Sequence, residues 1–222
     1  VWFRSLEYFL PARCYDDWTV GAILPFGDVF TPGEELSAMR FRIFVGIISS
    51  GLVMVLHTPG ASAQENPVVV METSMGTITI ELFQEQAPIS VENFLTYVDE
   101  EHYDGTIFHR VIQTFMIQGG RFTPDMRGKP GRAAIKNEAD NGVNNDKYTV
   151  AMARTNAVDS ATDQFFINTV DNNFLNNGVR DFGYAVFGRV VAGTAVVDTI
   201  AGTSVTNSVP NEAVIIQSIR RR

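Results

Sequence analysis

Apolar and polar residues alternate most cleanly between Thr77 and Phe83, where Ile78, Ile80 and Leu82 stand against Thr77, Thr79 and Glu81. A period of two marks a half-buried β-strand. A Val-rich run at 67–72 precedes it, and Thr73-Ser74-Met75-Gly76 between the two has turn chemistry. Together they predict a β-hairpin. The period then changes. Ile89, Phe94, Leu95 and Val98 form a stripe at helical spacing, and Pro88 suits a first helical turn. An amphipathic helix is expected over about 87–101. Asp104-Gly105 turns the chain into a strand at 106–112, and a short apolar run at 115–118 ends at Gly119-Gly120. Residues 121–147 are polar and rich in Gly, Asn and Asp. They read as a long surface loop, a kind of segment that often carries function. Further strands are expected at 148–153, 164–169, 185–191 and 213–219, with a short helix at 194–201 closed by Gly202. Many short strands and two helices predict a mainly β fold, a closed antiparallel barrel.

The N-terminal part follows another pattern. Met39 is followed by Arg40 and Arg42, then by an apolar run of 14 residues from Ile43 to Leu56, broken only by Ser and Gly. That is short of the roughly 20 residues a membrane span needs. Pro59-Gly60 breaks a helix, and Ala61-Ser62-Ala63 is a small-x-small cleavage site. This is the three-part layout of a secretory signal peptide over 39–63. An uncleaved membrane anchor is the competing reading. Cleavage after Ala63 would leave 64–222 as the working domain, outside the cytoplasm and with no membrane attachment. Residues 1–38 precede the expected start at Met39. They read as an artefact of an early start, as a long extension, or as an N-terminal tether.

Composition narrows the classes. The chain has 222 residues, 45% hydrophobic and 19% charged, enough for one globular domain with a remainder. Its formal charge of −8 argues against a nucleic-acid binder, which needs a basic face. Segment 64–222 keeps a formal charge of −6 and contains no cysteine; the only one is Cys14. No intrachain disulfide is possible, and a domain this size can stand on burial alone. No internal repeat, metal-ligand spacing or phosphate-cradling Gly loop is present. Ser160 has no His/Asp partners that would make it a nucleophile. His102, after Glu100-Glu101, reads as the exposed end of the first helix.

Three blocks carry the chemistry. The first is Phe108-His109-Arg110-Val111-Ile112-Gln113-Thr114-Phe115-Met116-Ile117-Gln118-Gly119-Gly120. The second is Ala151-Met152-Ala153-Arg154 with Ser160-Ala161-Thr162-Asp163-Gln164-Phe165-Phe166-Ile167, and the third runs from Phe182 to Val190. In this order, over about 66–222, they resemble the cyclophilin-type peptidyl-prolyl cis–trans isomerases, most closely the secreted or periplasmic bacterial branch. The resemblance implies an eight-stranded closed barrel capped by two helices. It also implies catalysis of rotation about Xaa-Pro bonds in folding extracytoplasmic proteins.

That reaction breaks no bond, so it needs neither nucleophile nor cofactor nor metal. The amide rotation barrier is about 18–20 kcal/mol, and it falls only if the site binds the twisted amide better than either planar form. Twisting makes the proline nitrogen more basic, so a fixed cationic donor nearby would stabilise that state. The resemblance assigns this role to Arg110, a planar fork of N–H groups that stays charged. Composition alone would make it a surface arginine. The resemblance puts Phe115, Met116, Phe166 and Leu175 around the proline ring; read blind, Phe115 and Met116 would be core. Phe165 and Phe166 are neighbours on a strand, so one faces the core and Phe166 the groove. Gln118 would hydrogen-bond the substrate backbone and support Arg110. Ala153 and Arg154 would offer backbone to an extended peptide, with Gln164 lining the groove. His109 alternates to the other face from Arg110 and reads as structural or as groove edge.

Three positions depart from the better-known relatives. Phe174 stands where eukaryotic members have a tryptophan whose indole N–H meets cyclosporin. It has no donor, so weak cyclosporin binding with activity retained is expected. Tyr184 replaces a common rim histidine, and Arg154 a common asparagine. The expected partners are proline-containing unfolded or flexible chains, met by a monomer. The rival class is a binding module of the same fold, which would tolerate loss of Arg110 but not of the apolar groove.

Overall fold

The computed structural model describes residues 65–222. The signal segment 39–63, its cleavage site and the extension 1–38 lie outside the described residues. The expected hairpin is β1 (Val68–Thr73) with β2 (Gly76–Leu82). Their register sets Val69 opposite Ile80 and Met71 opposite Ile78, all four fully buried. This is the alternation read from sequence, converted into one face of a core. Helix α1 (Pro88–Asp99) follows, with Pro in its first turn. Then come β3 (Thr106–Ile107), β4 (Arg110–Ile112), β5 (Met116–Gly119), β6 (Thr149–Met152), β7 (Phe165–Asn168) and β8 (Val186–Ala192). Helix α2 (Thr194–Ala201), the small hairpin β9 (Val205–Thr206) and β10 (Val209–Pro210), and β11 (Ile215–Arg221) complete the order.

The main sheet is antiparallel and strongly curled, in the order β3-β11-β1-β2-β8-β6-β7-β5-β4. It has nine strands rather than eight, and strand pairing does not close it into a barrel. Both corrections have one cause. The expected strand at 106–112 is cut in two at Phe108-His109, because its backbone changes partners there. Phe108 N–H donates to the Val214 carbonyl at 3.0 Å, whereas Val111 N–H donates to Ser208 at 2.7 Å. One half pairs with β11 and the other with β5. The two edges of the sheet are thus joined through two residues of chain.

Inside the curl, α1 contributes Val91, Phe94, Leu95 and Val98, and α2 contributes Val197 and Ile200. Phe94 and Tyr103 meet Phe165 edge-to-face, both at 5.5 Å. Each large apolar side chain buried here stabilises the fold by roughly 1.5–3 kcal/mol. At the start of α2, Gly193 has φ 86°, and a Cβ there would run into the Thr77 carbonyl. Only glycine meets both conditions.

The segment 121–147 lacks regular strands, as expected, but it is not a simply solvated surface loop. Asn137, Glu138 and Asn145 are buried. Ala87 brings no side-chain cap to α1. Glu138 supplies it from 48 or more residues away, accepting from Ile89 N–H at 3.0 Å and Ser90 N–H at 2.7 Å. A carboxylate there satisfies orphan amides and meets the positive end of the helix dipole.

Candidate active site

Register builds the site. Arg110 on β4 stands opposite Gln118 on β5, and Gln118 opposite Phe166 on β7. Phe166 stands opposite Ala151 on β6, and Ala151 opposite Val186 on β8. Paired residues project to the same face, so these five form a stripe across five strands. Phe165, one step away, points into the main core. The split of Phe165 and Phe166 between core and groove is as the alternation predicts.

On this stripe lies a cavity of about 310 Å³. Met116, Phe166 and Leu175 are buried in its floor and wall, with Phe115, Ala153 and Tyr184 partly buried against them. Arg110, Gln118, Arg154 and Phe174 line it as well. Ten of the expected residues thus come together in one place. A larger cavity of about 640 Å³ lies elsewhere, beside Met75 and Ala213. It holds a single charged side chain, Glu212, and no aromatic ring, so it offers nothing that would bind an amide by its flat faces.

The polar chemistry is a short relay. Arg110 Nη1 donates to Gln118 Oε1 at 3.4 Å, and Gln118 Nε2 donates to Gln164 Oε1 at 2.9 Å. Gln164 is therefore one layer behind the cavity, not on its lining. Arg110 is exposed and forms no ion pair among the described residues. Its guanidinium lies 5.9 Å from the Phe115 ring centroid. Phe115 and Phe174 are stacked at 5.5 Å, and Phe166 and Tyr184 meet edge-to-face at 5.8 Å.

Ala153, Arg154 and His102 make contacts that the sequence did not announce. Ala153 N–H donates to the Gln164 carbonyl at 2.9 Å, so its N–H is not the group offered to a peptide. The Arg154 side chain is built into the structure and only 4% exposed. Its Nε donates to the Gly183 carbonyl at 2.9 Å, its Nη2 to Asp181 at 2.8 Å, and it lies 4.5 Å from the Tyr184 centroid. His102 is not an exposed helix end. Its Nε2 sits 3.1 Å from the fully buried carboxylate of Asp163, which also meets Arg121 at 3.4 Å. Burial pushes the Asp163 carboxyl up, but His102, Thr162 and Arg121 together hold it below the usual range.

His109 does not reach the cavity. It lies in the two-residue joint between β3 and β4, 8% exposed, its ring edge-to-face with Phe122 at 4.7 Å. Its Nδ1 is buried without a partner. Burial above all, opposed by the Ile107 backbone and helped by the Arg110 charge, lowers its pKa from 6.5 to about 4. The unfolded chain therefore binds more protons between those values, and stability falls as pH drops through that window. Allowing for the solvent that still reaches the ring, the loss is on the order of 1–2 kcal/mol. Urea midpoints at pH 7.5 and 4.5 should show it in the wild type and much less in His109→Phe. Asp163 acts only below 3.8, its ordinary value, so the windows separate. A midpoint shift equal in both proteins would remove His109 as the cause.

Sequence reasoning missed the asparagines behind the groove. Asn145 Nδ2 donates to the carbonyls of Leu175 at 3.3 Å and Tyr184 at 3.2 Å. Asn168 Nδ2 reaches Asn145 Oδ1 at 3.3 Å, and Asn172 Nδ2 reaches the Phe115 carbonyl at 2.7 Å. Three walls of the cavity hang on one buried amide network.

The site is an exposed guanidinium beside an apolar slot, on the outer face of a curled antiparallel sheet. Residues 68–221 match the family model "Cyclophilin type peptidyl-prolyl cis-trans isomerase/CLD". Peptidyl-prolyl cis-trans isomerase cyp18 of Streptomyces antibioticus is 57% identical over 160 residues, 68% of this chain and 96% of that protein. Peptidyl-prolyl cis-trans isomerase A of Dickeya dadantii is 46% identical over 187 residues, 82% of this chain and 98% of that protein. A crystal structure of a cyclophilin type isomerase from Cryptosporidium parvum, in the presence of the dipeptide Ala-Pro, superposes with a TM-score of 0.62. It has 28% identity and covers 70% of this chain and 98% of its own. The chain belongs to the cyclophilin-type peptidyl-prolyl cis–trans isomerases and is an enzyme of that class, with bacterial relatives across the whole domain.

Proposed function

We propose that the protein accelerates rotation about Xaa-Pro bonds in folding proteins outside the cytoplasm, with Arg110 as the donor that favours the twisted amide. The observation that carries this is the placement of Arg110. It is a guanidinium without an ion-pair partner among the described residues, held by one long contact to Gln118 beside a slot of Met116, Phe166 and Leu175. The apolar slot takes the proline ring and fixes one side of the bond. Arg110 then faces the nitrogen as conjugation is lost and its lone pair returns. Gln118, itself oriented by Gln164, keeps the fork aimed and offers polar atoms to the peptide backbone. Nothing here needs a proton to move. The test is isomerisation of a short Xaa-Pro peptide by the purified protein beside Arg110→Ala. Activity that survives the substitution would sink the mechanism.

The extracytoplasmic setting rests on segment 39–63. Similarity to the Dickeya protein covers 82% of this chain, more than the matched domain at 68–221 spans, and so reaches back into that segment. The measurement is N-terminal sequencing of the protein recovered from the cell envelope. A start at Gln64 is expected. A start at Met39 in a membrane fraction would replace secretion with a tether.

A further inference from the structure

We propose that Arg180 makes this groove selective for peptides carrying a carboxylate next to the proline, an inference that rests on the isomerase reading above. Four side chains form a row along the mouth of the groove. The Arg110 guanidinium lies 5.9 Å from the Phe115 centroid, Phe115 stacks on Phe174 at 5.5 Å, and Arg180 lies 5.7 Å from the Phe174 centroid. A cation therefore stands at each end of an aromatic pair.

The charge balance there is opposite to that of the domain. Residues 65–222 carry a formal charge of −6, yet three guanidiniums and no carboxylate line this cavity. The nearby acid is Asp181, whose Oδ1 is engaged by Arg154 and Gly183 and whose Oδ2 meets Arg180 only at long range. It holds Arg154 at 2.8 Å and accepts from Gly183 N–H at 2.8 Å, while Arg180 is only at 3.6 Å. Arg154 is sealed in by these contacts, and Arg110 faces the reacting bond. Arg180 differs from both: its side chain is 54% exposed. Phe174 beside it is 44% exposed. A peptide laid over Phe115 and Phe174 passes within reach of this exposed guanidinium, whose pairing to Asp181 is long at 3.6 Å. An acidic side chain gains a partner there, and a basic one meets a like charge.

The test is kcat/KM of the purified protein on two sets of proline peptides, with Glu, Ala or Lys placed before the proline in one set and after it in the other. In one of the sets Glu should exceed Lys by about two- to five-fold at low ionic strength, the scale of an exposed ion pair. The ratio should collapse in 1 M salt, where the screening length is about 3 Å. Arg180→Glu should invert it, and Arg180→Lys should keep its sign. Equal turnover of Glu and Lys peptides in both sets, or a preference that Arg180→Glu leaves intact, overturns the proposal while the isomerase stands. No turnover of any peptide, Ala included, overturns both readings.

Discussion

Arg110→Ala is expected to lower kcat/KM on a short Xaa-Pro peptide by about a hundredfold or more. Losing one preorganised donor to a transition state costs roughly 2.7–4 kcal/mol. The side chain is well suited to a clean experiment. It is exposed, it pairs with no acid among the described residues, and its one hydrogen bond, to Gln118, is long at 3.4 Å. Its removal should leave unfolding free energy within about 0.5 kcal/mol of wild type. Arg110→Lys keeps the charge and loses the planar fork, so an intermediate rate is expected. A loss below tenfold in a normally folded Arg110→Ala protein would show that the apolar slot alone lowers the barrier.

Asn145→Asp is expected to destabilise the fold by about 3 kcal/mol at pH 7 and to raise KM in whatever protein remains folded. The change is isosteric, so no cavity term enters. What it removes is donation. Asn145 Nδ2 serves the Leu175 and Tyr184 carbonyls and Asn176 Oδ1, all at 3.2–3.3 Å. A carboxylate turns each of these contacts into two facing acceptors, in a position with no exposure. Unsatisfied buried groups cost about 1–3 kcal/mol each. Because Leu175 and Tyr184 are cavity walls, KM should move with stability. Urea unfolding and peptide kinetics read both effects. A variant as stable as wild type would remove the network from any account of the groove.

The elements that could be read from the chain alone are those in which local pattern and tertiary use agree. The β1–β2 hairpin was visible because its alternation is also its burial. Helix α1 was visible from its stripe, and the groove residues from their motif blocks. The misses share a different cause. Glu138 caps a helix 48 residues away, and Asp163 pairs with His102 from 61 residues away. A polar residue in an irregular segment looks the same whether it faces water or a distant backbone. The break at Phe108-His109 was hidden for a related reason. The β-branched and aromatic residues at 106–108 and 111–112 say that the chain is extended, but not with which neighbour it pairs. Nothing local announced Asp181 or Tyr184 as partners of the Arg154 side chain.

The apolar side chains fall into two separate sets that share strands but not faces. One fills the curl around Phe94 and Phe165, and the other lines the groove around Met116 and Phe166. A change on the outer set disturbs few contacts of the inner one. Descendants of such a chain can therefore retune what they hold, by exchanging Phe174, Tyr184 or Arg180, without having to rediscover how to fold. The arrangement separates inheritance of shape from inheritance of preference.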